Sequence, residues 1–317
     1  MTPKRLTVGI TYHNECELLS SCVKSLLSQI DNTVEVLIYD DASEFPARGY
    51  VLQSENVRII RGEANLGPAK ARNLILKEAK GEYIHFHDSD DWFNEKWFEK
   101  VSSHFGKSDA IFTEVTSYRG SEVFLARVME VAPLADNKSL LKFAIEGFIL
   151  VPSGTYRKTL VEQLGGYREE LWQSEDWDFH VRMALKNPVI EVIDEPLVYI
   201  RIRQESRSQN SVETSTDTLK SIEYLATDIP QSYHRYLSDK AAKMGTKLFL
   251  SGQKKMAKNA FRLSRSLGPS QYQWQRKSYR IIAKFLGQEW AERISKLGRS
   301  LKARLTFHKR IATSQAF

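Results

Sequence analysis

The stretch Tyr83-Ile84-His85-Phe86-His87-Asp88-Ser89-Asp90-Asp91 decides how this chain is read. Its first five residues read as a buried strand, and its last four place three acids just past that strand's end. Core packing explains none of these acids, and a helix N-cap would use only one. Asp88 and Asp90 flank a single residue, so a tight turn can aim both carboxylates at one point. Hard oxygen donors in that arrangement suit Mg²⁺ or Mn²⁺, with a phosphate completing the shell. Such a metal neutralises charge on a departing diphosphate. The spacing alone also fits a solvated turn, so the surrounding chain carries the decision.

Outward from this turn, the first 110 residues alternate strand and helix patterns. Residues 6–11 are β-rich and end in Thr11-Tyr12-His13-Asn14. Residues 15–30 carry apolar groups at 18, 19, 22, 23, 26, 27 and 30, a helical spacing. Residues 34–39 form a buried-strand run that ends in Asp40-Asp41-Ala42-Ser43. A short strand follows at 57–60, Pro68 suits the first turn of a helix to about residue 80, and another helix spans 95–105. This alternation predicts βαβ units and an α/β fold with a doubly wound, mostly parallel sheet flanked by helices. Thr11 to Asn14, Asp40, Asp41 and Asp88 to Asp91 then gather at the carboxyl ends of strands, where open parallel sheets bind ligands.

Past residue 110 the pattern loosens. Strand-like runs at 110–118, 122–129, 147–152 and 189–202 and helical runs at 137–146 and 175–186 predict an α+β continuation of the same sheet. Residues 206–218 are rich in Ser, Thr and Asn and read as a loop or linker. Everything beyond reads as helix, apart from a break at Gly268-Pro269. The expected division is a sheet domain over 1–208 and a helical region over 209–317. Within the latter, Gly245, Gly252, Ala257, Phe261 and Pro269 follow the spacing of one tetratricopeptide unit, with Ser264 at a second small-residue place. One unit cannot bury its own face, so a helical hairpin packed on its neighbours is the simpler expectation.

The 317 residues are 42% apolar and 27% charged, ordinary for a globular protein. Cys16 and Cys22 exclude a disulfide scaffold and a cysteine zinc cage, and read as reduced thiols of a cytoplasmic protein. No run reaches the roughly 18 apolar residues of a membrane span, and the N-terminus lacks an apolar signal segment. The net charge of +7 hides a division. Residues 240–317 hold 19 Lys and Arg against two acids, Glu289 and Glu292, while residues 1–239 hold 27 bases and 37 acids. An acidic body carries a basic tail region, and each needs its own explanation.

Five ordered motifs over residues 7–208 resemble those of family 2, GT-A-fold glycosyltransferases. Thr11-Tyr12-His13-Asn14 is similar to the first-strand element of that family, and Asp40-Asp41-Ala42-Ser43 to its DDGS turn. Asn65, Gly67 and Ala71-Arg72-Asn73 match its N-x-G-x-x-x-ARN segment, and Asp88-Ser89-Asp90-Asp91 its DSDD. Gly165-Gly166-Tyr167 with Ser174-Glu175-Asp176-Trp177-Asp178 resembles its GGF…EDxD stretch. The resemblance implies a nucleotide-sugar site contacted by Thr11, Tyr12, Asn14, Asp40, Asp41, Asn65, Arg72, Asp88, Ser89 and Asp90. It implies Mn²⁺ or Mg²⁺ on Asp88 and Asp90, and Asp176 as catalytic base. Arg72 is open between a phosphate contact and an ion pair on a helix face. Arg203 stands where the family often has a metal-approaching His; Arg cannot ligate a metal but can clamp diphosphate bidentately.

Elementary chemistry agrees with the base. A carboxylate at a helix N-terminus is held as the anion, with Ser174 as the expected cap, and Asp176 could accept a proton from a sugar hydroxyl. It could equally just complete that N-terminus. Tyr167, Trp172 and Trp177 could stack on an acceptor sugar or belong to the core. The implied activity is an inverting, metal-dependent transfer from a nucleotide-diphosphate sugar, UDP-linked, to a saccharide or lipid-linked saccharide acceptor. A sugar-phosphate nucleotidyltransferase is disfavoured because Thr11-Tyr12-His13-Asn14 lacks a Gly-rich loop. A helical-repeat adaptor with an inactive sheet domain would be favoured had the acids been lost.

Residues 288–307 place Trp290, Ile294, Leu297, Leu301 and Leu305 on one helical face, with Arg293, Lys296, Arg299, Lys302 and Arg304 around it. Such a helix can lie on an anionic bilayer, which would put the protein peripherally on the cytoplasmic face of a membrane, or can pack that face on the protein. Nucleic acid is not an expected partner, given the acidic body and the absence of any nucleic-acid motif.

Overall fold

The structure, a computed structural model, describes residues 3–51, 54–118, 126–135, 140–202, 211–272 and 275–297. The chain divides into two compact units, Met1–Gln209 and Asn210–Phe317.

The first unit runs β1 (Leu6–Tyr12), α1 (Cys16–Leu27), β2 (Val34–Asp40), β3 (Val57–Arg61), α2 (Pro68–Glu78), β4 (Tyr83–Asp88), β5 (Trp92–Phe93) and α3 (Trp97–Ser102). It continues with β6 (Ala110–Tyr118), β7 (Ala126–Met129), α4 (Leu140–Glu146), β8 (Gly154–Arg157), α5 (Lys158–Gln163), α6 (Glu175–Leu185) and β9 (Ile190–Arg201). Among the described residues these strands form one sheet in the order β3-β2-β1-β4-β8-β6-β9-β5, with β7 pairing the end of β6 beyond the residues that β8 covers. β1, β2, β3, β4, β6 and β9 share one direction; β5, β7 and β8 run against it. The sheet is therefore mostly parallel, as the alternation predicts. All seven residues of β2 are buried, the mark of a central parallel strand covered on both faces.

The register sets up the site. Thr11 pairs with Asp88, Tyr12 with Asp40 and Asp40 with Arg61, so the ends of four adjacent strands lie side by side. On β4, burial holds His85 well below the ordinary histidine pKa and pushes His87 down to about 3. Both rings serve the core: His87 stacks on Phe93 at 3.9 Å and His85 meets Trp97 edge-on at 4.7 Å.

The differences from expectation have local causes. The strand read at 147–152 begins only at Gly154, because Val151–Ser153 coil into a 3₁₀ turn around Pro152, which has no N–H to give a ladder. β5 and α5 are too short to show a period, and α3 is shorter than its pattern. The strand read at 122–129 is described only from Ala126, and the helix read at 137–146 only from Leu140.

In the second unit, α7 (Ser211–Asp228), α8 (His234–Leu250), α9 (Lys254–Leu267) and α10 (Lys277–Leu286) precede a further helix over 288–297. The polar stretch read as a linker is helical from Ser211. Ser215, Thr216 and Thr218 each donate a hydroxyl to the carbonyl four residues back, and Ser215 and Thr218 are buried. α8 and α9 make a helical hairpin. Gly245 permits it, because a Cβ there would lie 2.2 Å from the Phe261 ring. Ala257, Ala260 and Phe261 fill the hairpin's core with Leu248 and Phe249. Gly268 ends α9 in a left-handed conformation, the break read at Gly268-Pro269. No helix among the described residues is long and apolar enough to cross a membrane.

Candidate active site

The turn after β2 is built by its own acids. Asp40 Oδ1 accepts the Ser43 N–H at 2.9 Å. Its Oδ2 accepts the Ala47 N–H and the Arg61 guanidinium, each at 2.9 Å. Asp41 reaches the other way, accepting the N–H groups of Leu66 and Gly67 at 2.8 and 2.9 Å. Backbone bonds to carboxylates of this kind are charge-assisted and each fixes a loop position. Asn14, left-handed at φ 64°, accepts the N–H groups of Glu44 and Phe45 at 2.8 and 3.3 Å. The Tyr12 hydroxyl donates to the Phe45 carbonyl at 2.7 Å. Asn65 lies 3.1 Å from His13 Nε2, while His13 Nδ1 lies 2.9 Å from the Asp41 carbonyl. Tyr12, Asn14, Asp40, Asp41 and Asn65 thus come together as one braced wall.

The turn after β4 meets a different set of residues. Asp88 Oδ1 accepts the Thr11 hydroxyl at 3.1 Å and the Arg72 guanidinium at 2.8 Å. The same guanidinium, almost fully buried, donates to Glu175 Oε1 at 2.7 Å and stands 5.4 Å from the Tyr167 ring centroid. Arg72 is therefore an ion pair, and it is more than a helix-face one: it bridges α2, the end of β4 and the start of α6. Ser89 donates to Glu15 Oε2 at 2.9 Å, which also accepts the His13 N–H at 3.0 Å. Residues 11–15 thereby join the two turns. Asp91 accepts the Arg201 N–H at 2.9 Å. Asp90 is half-buried in the same turn.

Asp176 is the second residue of α6, half-buried beside Glu175. Burial and the Glu175 charge push its pKa up to about 7, against the opposing pull of Arg72. Burial also raises Glu175, again opposed by Arg72. The expected cap takes another form: Ser174 is left-handed at φ 60° and makes no side-chain capping bond. Its carbonyl accepts the Asp178 N–H instead, at 3.1 Å. Asp178 is fully buried between Arg168 at 2.5 Å and Arg182 at 2.7 Å. Arg182 in turn donates to the Leu164 and Gly166 carbonyls, both at 2.9 Å. This lock holds the left-handed pair Gly165-Gly166. Asn73 closes it from α2, accepting the Tyr167 N–H at 2.8 Å and donating to the Tyr167 carbonyl at 2.9 Å.

The three aromatic candidates separate. Tyr167 stacks on Phe179 at 4.5 Å and Trp177 donates its indole N–H to the Ala144 carbonyl at 2.9 Å, both in the core. Trp172 is exposed and lies against Gly67. Glu15 carries neither a spacing nor a motif signal; His13, Arg72, Asn73 and Glu175 are marked by their motif positions alone, and nothing local pairs Arg72 with Glu175. Arg203 lies outside the described residues.

A divalent cation fits the donor chemistry. Both bonds to the Asp88 carboxylate fall on Oδ1, so Oδ2 is the oxygen it could offer, and Asp90 adds a second hard donor two residues on. Among the described residues no three His, Cys, Asp or Glu side chains form a cage, so an ion here would complete its shell with phosphate oxygens and water.

A family model for glycosyl transferase family 2 matches residues 7–165. A glycosyltransferase of Haemophilus influenzae, itself uncharacterised, is 29% identical over 229 residues, 69% of this chain and 75% of that one. Poly(ribitol-phosphate) beta-N-acetylglucosaminyltransferase TarS of Staphylococcus aureus is 28% identical over 239 residues, 70% of this chain and 41% of its own length. The crystal structure of TarS 1–349 in complex with UDP-GlcNAc aligns with a TM-score of 0.68 at 19% identity, covering 93% of this chain and 92% of that one. That likeness is one of fold, and the fold is GT-A. Sheet, turns and family model coincide: the chain is a glycosyltransferase and belongs to glycosyl transferase family 2.

Proposed function

We propose that the protein transfers a sugar, with inversion, from a UDP-linked donor to a hydroxyl of a saccharide or lipid-linked saccharide in cell-surface glycan synthesis. The observation that carries this is the Arg72 bridge. It ties the β4 turn to the helix start where Asp176 sits with a pKa near neutrality. A base of that pKa is available to deprotonate a hydroxyl at physiological pH while remaining a useful proton acceptor. Asp176 takes the acceptor proton as the oxygen attacks the anomeric carbon from the face opposite the diphosphate. The C–O bond to the diphosphate breaks, and the nucleoside diphosphate leaves. Thr11 and the braced wall around Asp40 and Asp41 hold the nucleoside. Asp88 and Asp90 would hold Mg²⁺ or Mn²⁺, which would supply charge stabilisation to the departing diphosphate. Arg203 would clamp that diphosphate.

Two relatives support the donor and acceptor classes. TarS has been crystallised with UDP-GlcNAc and with UDP. WfaP of Escherichia coli, named as a UDP-Glc:alpha-D-GlcNAc-diphosphoundecaprenol beta-1,3-glucosyltransferase, is 31% identical over 142 residues, 44% of this chain and 56% of its own. A lipid-linked acceptor would place the enzyme at the cytoplasmic face of a membrane.

A thermal-shift screen of UDP-GlcNAc, UDP-glucose and UDP-galactose, each with Mn²⁺, Mg²⁺ or EDTA, tests the reading. The true donor at a hundred times its Kd should add about 2.7 kcal/mol of stability, with metal only. No shift with any UDP-sugar, or an equal shift in EDTA, would count against it.

A further inference from the structure

α10 and the helix over 288–297 bury polar groups and expose large apolar ones. On the inner side, Gln288 donates to the Ala242 carbonyl at 2.9 Å. Glu292, also buried, accepts the Tyr279 and Thr246 hydroxyls, both at 2.6 Å. These bonds fix which way the second helix faces. Outward point Ile281, Phe285, Trp290, Ile294 and Leu297, with 76% of Phe285, 53% of Trp290 and 65% of Leu297 exposed. Among the described residues, the face of Trp290, Ile294 and Leu297 is left largely uncovered. Scattered surface apolar residues are ordinary, but with Leu286 there are six large ones within seventeen positions, and that is not.

The groups beside them are basic. Arg280, Lys284, Arg293 and Lys296 are all exposed. Lys284 sits 5.9 Å from the Phe285 ring centroid and Arg293 5.3 Å from that of Trp290. The two acids of this segment are engaged, Glu289 with Arg293 at 2.7 Å and Glu292 inside. The exposed bases Lys254, Lys255, Lys258, Arg262 and Arg265 add to the charge along α9, which has no acid. Apolar and aromatic groups interleaved with Lys and Arg are what a helix needs to lie in a headgroup layer, rings down and charged ends toward phosphate. A second copy would bring bases against bases, so the charge argues against self-association through this face.

We propose that α10 and the helix over 288–297 dock on an anionic lipid surface. Binding rests on two additive parts, apolar insertion and attraction of about fivefold in partitioning for each base near the surface. Arg299, Lys302 and Arg304, and with them Leu301 and Leu305, lie outside the described residues.

Co-sedimentation of the full-length protein with phosphatidylglycerol–phosphatidylcholine vesicles and with pure phosphatidylcholine vesicles tests this. These vesicles carry no acceptor, so the result is independent of glycosyl transfer. The protein should bind the first and not the second, and binding should fall as salt rises. Phe285→Ser with Trp290→Ser, and separately Lys284→Glu with Lys296→Glu, should each lower partitioning about tenfold or more. Because all four side chains are exposed, both variants should keep the wild-type melting temperature. Absent binding, salt-insensitive binding to neutral vesicles, or either variant sedimenting like wild type would overturn the proposal. So would light scattering that shows a wild-type dimer dispersed by Phe285→Ser with Trp290→Ser, since a second copy would then cover this face.

Discussion

Asp40-Asp41-Ala42-Ser43 and Asp88-Ser89-Asp90-Asp91 follow strands on either side of β1 and look alike in sequence, yet they are built differently. In the first, the four carboxylate oxygens of Asp40 and Asp41 accept bonds from Ser43, Ala47, Arg61, Leu66 and Gly67. Those acids make the turn. In the second, Asp91 secures the turn through the Arg201 N–H, and Asp88 is held from outside by Thr11 and Arg72. The two strand ends therefore differ in who holds the aspartate: loop amides and Arg61 at Asp40 and Asp41, a hydroxyl and a guanidinium from other elements at Asp88.

The largest effect should come from the helix start to which Arg72 ties the second turn. Asp176→Asn should lower transfer by roughly 10²–10⁴ while donor affinity, measured by calorimetry, stays within a few fold. Transfer at near wild-type rate would move the base elsewhere, and Glu175 would be the next residue to test. The turns themselves should then respond oppositely. Asp40→Ala strips three bonds from a buried carboxylate and should cost about 2–4 kcal/mol in denaturant unfolding. Asp90→Ala should leave the fold intact and abolish the metal dependence of UDP binding. If Asp40→Ala proves as stable as wild type, the distinction between the turns fails.

A smaller and signed effect concerns pH. Glu175 raises the Asp176 pKa, so Glu175→Gln should move the acid limb of kcat/KM from about 7 to lower pH. An unmoved limb would mean that another group titrates. Because the folded-state pKa of Asp176 is raised, its contribution to stability is present at low pH. It is lost as pH rises from the ordinary carboxylate range through about 7. Asp176→Asn should accordingly raise the melting temperature more above that range than below it. The smallest effect belongs to the first turn's backbone. Ala42 is left-handed at φ 55°, so Ala42→Gly should stabilise by up to about 1 kcal/mol in the same unfolding assay.

The sheet was legible where apolar runs are bounded by turn residues, as at β1, β2 and β4, and the order of motifs marked residues that the structure brings together, such as Thr11, Arg72 and Asp88. What could not be read is what depends on distant loops meeting. Asn73 and Tyr167 are 94 positions apart, and Arg72 and Glu175 are 103 apart. No local period encodes such a pair. α7 hid for another reason: its hydroxyls satisfy the helix's own carbonyls, so a composition that ordinarily marks a loop packs as a helix. Ser174 showed the limit of capping rules, since a left-handed residue at that position turns its carbonyl, and no capping hydroxyl, toward the first turn of α6.

The Arg72 bridge also sets a schedule for the growing chain. Its two carboxylate partners lie 16 and 103 positions away, the second of them beyond β8 and α5. At roughly 5–20 residues per second, about 5–20 s separate the synthesis of Arg72 from that of Glu175. During that interval the chain holds Arg72 and Asp88 but lacks the second anion. α6 is thus the element whose arrival completes the bridge, and a ribosome stalled before residue 175 holds a chain whose Arg72 still lacks one of its two anions.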